Sequence, residues 1–520
     1  MTNWLATVLI FLPLAGAAFV WVLPVGRFAG PVALLFALAE IGFWIDALGE
    51  MDFDKPGPAP NFDQQWNWFS DLGVSYHVGF YGFSFWLAGL AVVVMAAAIA
   101  YGFWVGRERP RAYFGLMLFL TAAVVGVFAA QDLLLFYVFF EAMMIPLYVL
   151  IGVWGGPGRM GATVKFVIYT MAGSLLMLVA VIVFGLSRNS FDLVTTEPSN
   201  STWLFLGFAI AFAVKAPLFP LHGWLPDAYR ESSPEVAAVL SGVISKAAIF
   251  GFIRICFGKF PGPFDDFRNV ILALAVVGLV YGALMAFRAP DVRGVIAYSS
   301  LSQMGLITIG VFAQNSAGLS GAVLQAVNHG LISATLFLLA GTIERRTSTS
   351  SLDRLGGMAR GRPALATMLM ATGIIALAVP GSSAFAGEFL ILAGVFTTGW
   401  GWAVAGATGI VLAAMYMLRL ISAVLHQQPG PVVSEDALDL RPAELGILVP
   451  LVACLLALSA WPAAISGNSV ENSSQAAPLM KLGTRQADIA ELERLLKRAT
   501  PGASGDFRQV TDIPATPPYR

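Results

Sequence analysis

The sequence predicts an all-α membrane protein of about fourteen transmembrane helices. Three observations predict it. Of 520 residues, 58% are hydrophobic and 12% charged, where a soluble domain carries about 25% charged residues; mean hydropathy is +0.76. The apolar residues gather into runs of about twenty, enough helix to cross a roughly 30 Å hydrocarbon core. Lys and Arg fall almost wholly in alternate loops.

The first run, 4–23, has no basic leader and no small-residue cleavage site, so a retained helix is expected rather than a signal peptide. Further runs lie near 30–49, 83–104, 112–130, 132–154 and 163–186, then 203–230, 235–257, 269–287, 295–313 and 317–343. The last three are near 364–398, 402–426 and 444–464. The seventh run contains Pro217, Pro220 and Pro226, and the twelfth contains Pro380 followed by Gly381. Proline removes a backbone donor and frees a carbonyl, so both helices are expected to break inside the membrane. Paired broken helices are typical of transporters.

Fifteen Lys and Arg fall in the odd-numbered loops and four in the even ones. The positive-inside rule then makes the odd loops cytoplasmic and puts both termini outside. The 50–82 segment, rich in Asp, is expected as an external loop. After 465 the chain turns polar; 486–498 has an amphipathic helical pattern, and the last twenty residues have the composition of a disordered tail.

Composition excludes several functions. Net charge is −1, so there is no basic footprint for nucleic acid. No CxxC cluster, GxGxxG fingerprint or P-loop is present, so no flavin, iron–sulfur cluster, nucleotide or metal is expected in this chain. Cys256 and Cys454 lie in apolar runs and read as packing residues. His77, His222, Arg254 and Arg419 lie near span ends and are expected at the interface.

Six polar side chains remain inside the runs: Glu141, Lys215, Lys246, Gln303, His329 and Glu388. An ionised group at mid-bilayer costs about 2.5–3.5 kcal/mol or more, so several in one chain point to a proton or ion path. By helix rise, Lys215 lies roughly 18 Å into its span, with Lys246 and His329 at similar depth. Glu388 follows the Pro380 break, nearer the outer face, where it can pass a proton to outside water. Buried lysine gives up its proton more readily, and a nearby Glu141 opposes that, so charge movement can switch Lys215. His329 suits a relay. The alternatives are structural: a static Glu141–Lys215 pair, a His329 bonded to a carbonyl, and a Gln303 that only joins helices.

These residues lie in stretches that resemble one known family. YVFFEAMMIPLY carries Glu141, and KAPLFPLHGWLPDAYRESSPEVAAVLSGVISKAAIFGFIRI carries Lys215, Pro217 and Lys246. DVRGVIAYSSLSQMG, NHGLISATLFLLAGTIERR and PGSSAFAGEFLIL carry Gln303, His329, and Pro380 with Glu388. Together they look like the antiporter-like membrane subunits of respiratory complex I, in particular the chain M or subunit-4 type of NADH:quinone oxidoreductase. The resemblance implies three N-terminal helices over 1–110, two inverted five-helix repeats within 111–257 and 258–426, a last helix in 427–464 and an external tail over 465–520.

It further implies a translocase subunit with no redox chemistry of its own. Glu141 and Lys215 would couple, Lys246 would relay, and His329 and Glu388 would form the outward branch, with Gln303, Pro217 and Pro380 in support. NAD, flavin, iron–sulfur clusters and quinone would belong to partner subunits, and chains of the L, N and K type would be neighbours. The setting would be the cytoplasmic membrane of a bacterial-type cell, crossed many times. The same constellation occurs in subunits of multi-subunit cation/proton antiporters and membrane hydrogenases, and a non-conducting structural paralogue is a further alternative. Two positions depart from the family pattern: Gln303 replaces the His of a Y-S-S-x-x-H motif, and Tyr81 stands where a G-x-D-G-x-S motif has Asp. Glutamine cannot titrate, so Gln303 is expected to orient water between Lys246 and His329.

Overall fold

Twelve helices among the described residues are long and apolar enough to cross a membrane. The computed structural model describes residues 4–55, 58–433 and 438–469; the helix expected over 486–498 and the expected disordered tail lie outside them. In chain order the helices are α1 (Leu5–Val22), α2 (Ala29–Glu50), α3 (Gly82–Val105), α4 (Pro110–Ala129), α5 (Leu133–Trp154) and α6 (Arg159–Leu186). Then follow α7 (Thr202–Lys215), α8 (Leu225–Glu231), α9 (Pro234–Phe257), α10 (Arg268–Arg288), α11 (Val292–Phe312) and α12 (Ser316–Thr347). Four more are α13 (Pro363–Ala376), α14 (Ser383–Thr398), α15 (Trp400–His426) and α16 (Pro442–Ala460), and short helices stand at Pro261–Asp266 and Ala463–Ser466.

The starts of these helices are written in the sequence. Asp132, Asp291, Asn315 and Ser382 each accept a hydrogen bond from a first-turn backbone N–H, which would otherwise lack a partner. Pro110, Pro234, Pro363 and Pro442 occupy first-turn positions where no intrahelical donor is needed.

Both expected breaks are present. The 203–230 run divides into α7 and α8 around a turn that begins after Lys215. There the Trp224 indole donates to the Val214 carbonyl at 2.9 Å. The 364–398 run divides into α13 and α14, joined through Ala378 and Gly381 in the left-handed region.

The 50–82 segment is not only a loop, which corrects the all-α expectation. Asn61–Phe69 (β1) and Val74–Phe80 (β2) form an antiparallel hairpin that pairs Gln65 with His77 and Trp66 with Tyr76. The alternation in VSYHVGF suits a strand. At its turn, a Cβ on Gly73 would stand 2.4 Å from the Asn189 carbonyl oxygen, so only glycine lets the hairpin meet the loop after α6.

The loops sort into two ends by their contacts. At one end Arg107 reaches Glu235, Trp154 donates to the Glu108 carbonyl, Gly158 N–H donates to Glu231, Arg293 reaches Glu344, and Arg346 reaches Glu444. At the other end Phe191 N–H bonds Gly73, Ser199 N–H bonds Lys259, Arg268 bonds Gln314, and Asn315 bonds Gly394. The first end holds the Arg-rich loops.

Candidate functional site

The site rests on a close approach of α9 and α12. A Cβ on Gly330 would lie 2.6 Å from the Gly242 carbonyl oxygen, and one on Gly242 would lie 3.0 Å from that of Gly330. Small residues let membrane helices pack backbone to backbone. This contact brings Lys246 against His329, with Nζ 2.7 Å from Nδ1. Both side chains are buried.

Leu240–Ile244 is a wider, π-helical turn within α9. Such turns recur at functional sites because they redirect backbone groups. Here the Ser241 carbonyl accepts from Lys246 Nζ at 2.6 Å as well as from the Ser245 hydroxyl. Nζ also lies 3.4 Å from Ser245 Oγ. The three ammonium hydrogens therefore have three acceptors.

Two serines close a ring with this pair. His329 Nε2 lies 3.2 Å from Ser300 Oγ, which is 2.7 Å from Ser241 Oγ. With Lys246 donating to Nδ1, Nε2 carries a hydrogen and donates to Ser300. A proton moved from Nζ to Nδ1 leaves the same heavy-atom contacts in place, so lysine and histidine can exchange it without rearrangement.

Beyond His329 lies a cavity of about 20 Å³ bordered by Ser299, Gln303, Gln325, Ser333 and Tyr416. That is room for roughly one water. On its far side Gln303 Nε2 donates to Glu388 Oε1 at 3.1 Å, while Gln325 Nε2 donates to Gln303 Oε1 at 2.9 Å and to Glu388 Oε1 at 3.3 Å. Gln303 thus bonds Glu388 and Gln325 directly, and it also borders the cavity beside His329, where a bridging water would sit. Glu388 is 2% exposed, so in this chain it is sealed behind two amides rather than opening to outside water.

The static Glu141–Lys215 ion pair, the structural alternative, is not among the salt bridges of the described residues. Lys215 Nζ sits over the Phe140 ring at 4.4 Å from its centroid, and Glu141 Oε1 has no partner among the described residues. The ring face supplies the attraction for the ammonium. Pro217 and Pro380 lie in the two breaks and contribute chain geometry rather than contacts to this line.

Two supposed interfacial residues are deeply placed. Arg254 is 3% exposed and donates to Gln131 Oε1, the Tyr81 hydroxyl and the Leu193 carbonyl. It needs acceptors because it cannot reach water from its position on α9. Tyr81, at the departure from the family pattern, thus serves as an acceptor for a buried arginine. His77 lies between Asp63 (2.7 Å) and Asp192 (2.8 Å). Burial lowers its proton affinity, but hydrogen bonds and charge from Asp192 and Asp63 outweigh that and raise its pKa to about 9. Cys256 and Cys454 are unpaired, as expected.

Sequence reasoning missed Gln325, Ser241 and Ser300, uncharged residues with no signal of their own. It also missed Glu40 on α2, which is 1% exposed with Oε1 unpartnered among the described residues. Its charge type was the available signal.

Many long apolar helices, two broken runs and a buried lysine–histidine contact define a polytopic membrane protein. Residues 130–413 match the family described as NADH:quinone oxidoreductase/Mrp antiporter, transmembrane. NAD(P)H-quinone oxidoreductase chain 4 of a Synechococcus strain is 35% identical over 475 residues, covering 88% of this chain and 90% of the relative. NADH-quinone oxidoreductase subunit M of Mycobacterium tuberculosis is 36% identical over 514 residues, covering 88% and 91%. A chain of respiratory complex I from Thermus thermophilus superposes with a TM-score of 0.82 at 30% identity, over 91% of this chain and 99% of that one. This chain belongs to the NADH:quinone oxidoreductase/Mrp antiporter family, among relatives named subunit M or chain 4.

Proposed function

We propose that this chain is the proton-translocating membrane subunit of an NADH:quinone oxidoreductase complex. Protons pass along Lys246, His329 and Glu388, driven by quinone reduction in partner subunits. The observation that carries this reading is the buried Lys246–His329 contact, braced by serines and bordered on the His329 side by a water-sized cavity. Lys215 and Glu141 form the input end, with charge on Glu141 acting across the Phe140 ring rather than through a direct bond. NAD, flavin, iron–sulfur clusters and quinone belong to the partners, since this chain has none of the usual cysteine or nucleotide motifs. Chains of the L, N and K type are the expected neighbours.

In this reading the twelve long helices and the two broken ones make fourteen crossings, with two inverted repeats covering 111–257 and 258–426. The Arg-rich end is cytoplasmic, in the cytoplasmic membrane of a bacterial-type cell. A second reading, as a subunit of a multi-subunit cation/proton antiporter, is favoured only by the breadth of the family description. The test is NADH-driven acidification of inverted membrane vesicles with wild-type chain and with His329→Ala. Acidification that falls in the variant while the complex remains assembled supports the first reading. Sodium/proton exchange without NADH supports the second.

A further inference from the structure

Around the start of α14, four buried polar atoms have no hydrogen-bond partner among the described residues: Gln325 Oε1, Asn328 Oδ1, Ser383 Oγ and Glu388 Oε2. Meanwhile Glu388 Oε1 receives two N–H donors, from Gln303 and Gln325. The direction of the Gln325 amide is set by its neighbours. Turned over, its carbonyl would face two acceptors, Gln303 Oε1 and Glu388 Oε1.

Gln325 and His329 stand one turn apart on α12, as Ser299 and Gln303 do on α11. The water-sized cavity lies among these four side chains. Gln303 and Gln325 are the residues that both border this cavity and bond the Glu388 carboxyl. Gln325 is also held against α14 by lack of space: a Cβ on Gly387 would stand 2.6 Å from Gln325 Oε1.

We propose that Gln325 is a positioning residue for proton transfer between His329 and Glu388, clamping the carboxyl by Oε1 so that the exchanged proton sits on Oε2. This rests on the translocation reading above. Two N–H bonds occupy Oε1 as an acceptor, and a hydrogen placed there would face donors. Oε2 has no such obstacle. The same amides border the water-sized cavity beside His329, so a water there would be an oriented acceptor for a proton on its way from the imidazole to the carboxyl. The departure at position 303 is thereby accommodated: a titrating side chain is not needed where two amides fix the orientation of both water and carboxyl.

The test uses the complete complex in inverted membranes, with protons moved per NADH oxidised as readout. Four chains are compared: wild type, Gln325→Leu, Glu388→Gln and the double variant. The proposal predicts that Gln325→Leu lowers the ratio and that the double variant is no worse than Glu388→Gln, because both act through one carboxyl. Infrared difference spectra add a readout that a packing defect would not give. The protonated Glu388 C=O band, identified by its loss in Glu388→Gln, should move to higher wavenumber in Gln325→Leu as one N–H donor disappears. If Gln325→Leu does not assemble, Gln325→Met keeps the length and removes the donor, and should lower the ratio likewise. A normal ratio in the assembled Gln325 variant, or losses that multiply in the double variant, overturns the proposal while Glu388→Gln remains impaired. A normal ratio in Glu388→Gln overturns the translocation reading through Glu388 and, with it, this role for Gln325.

Discussion

Lys246 and His329, 83 residues apart in the chain, meet at 2.7 Å between Nζ and Nδ1 because α9 and α12 touch backbone to backbone beside them. The lysine is held by acceptors on its own helix, and the histidine is held by Ser300 on α11. Three helices therefore fix one proton-sharing pair.

That geometry depends on Gly330. In Gly330→Ala the new methyl would press on the Gly242 carbonyl and on Leu90. Separating the helices by even a fraction of an ångström lengthens the Lys246–His329 contact. This chain's share of proton translocation should fall by about tenfold or more, as small misplacements of reacting groups do. Proton uptake per NADH in assembled complex checks it; unchanged uptake would show that the close approach is not needed.

Glu235 anchors the start of the lysine-bearing helix. It is fully buried and accepts from Arg107 at 2.6 and 2.8 Å and from the Tyr113 hydroxyl at 2.6 Å. Removing one partner of such a network strands the others. Glu235→Ala should destabilise the chain by about 3–5 kcal/mol, and Tyr113→Phe by about 1–2 kcal/mol. Heat-induced dissociation of the purified complex measures both, and a Glu235→Ala complex as stable as wild type would contradict the anchoring role.

The His77 clamp gives the hairpin a pH dependence. Its pKa is raised from 6.5 to about 9 in the fold. A raised histidine pKa stabilises the folded form fully below pH 6.5 and loses that contribution as pH rises through about 9. The contribution is roughly 1–2 kcal/mol, since solvent beside the partly open Asp63 screens part of it. Hydrogen-exchange protection of residues 61–80 should therefore decline between these limits, and His77→Gln should remove the dependence. Protection that stays flat with pH in the wild type would show that the imidazole carries no charge there.

Much of the architecture was legible in residue pattern. Run length and hydropathy located the long helices, and Pro217 and Pro380 marked both breaks, because a missing backbone donor acts locally. The alternating arginines sorted the loops into the same two groups that the loop contacts show. The hairpin was overlooked because the Asp residues around VSYHVGF drew a loop reading over a strand alternation. The lysines, His329 and Glu388 were legible because charge in a membrane is rare. Which of them touch was not: the Lys215 ammonium rests on the Phe140 ring, next in sequence to Glu141. Gln325 and Ser300 give no signal, since serines and amides are common helix-joining groups.

The loop sorting makes a topological prediction. Reporter fusions at 107–111 and 345–362 should report the cytoplasm, and fusions near 189–200 the outside. The reverse pattern would invert the direction in which the line runs.

The most direct measurement is the number of protons moved per NADH oxidised by membranes carrying Lys246→Ala in an assembled complex. Alanine removes the ammonium that bonds Ser241 and His329. The account predicts that the ratio drops below the wild-type value, because this chain's share of translocation is lost while the redox centres in the partners remain. A ratio equal to wild type, with the complex intact, would contradict the assignment of the Lys246–His329 line as the proton path.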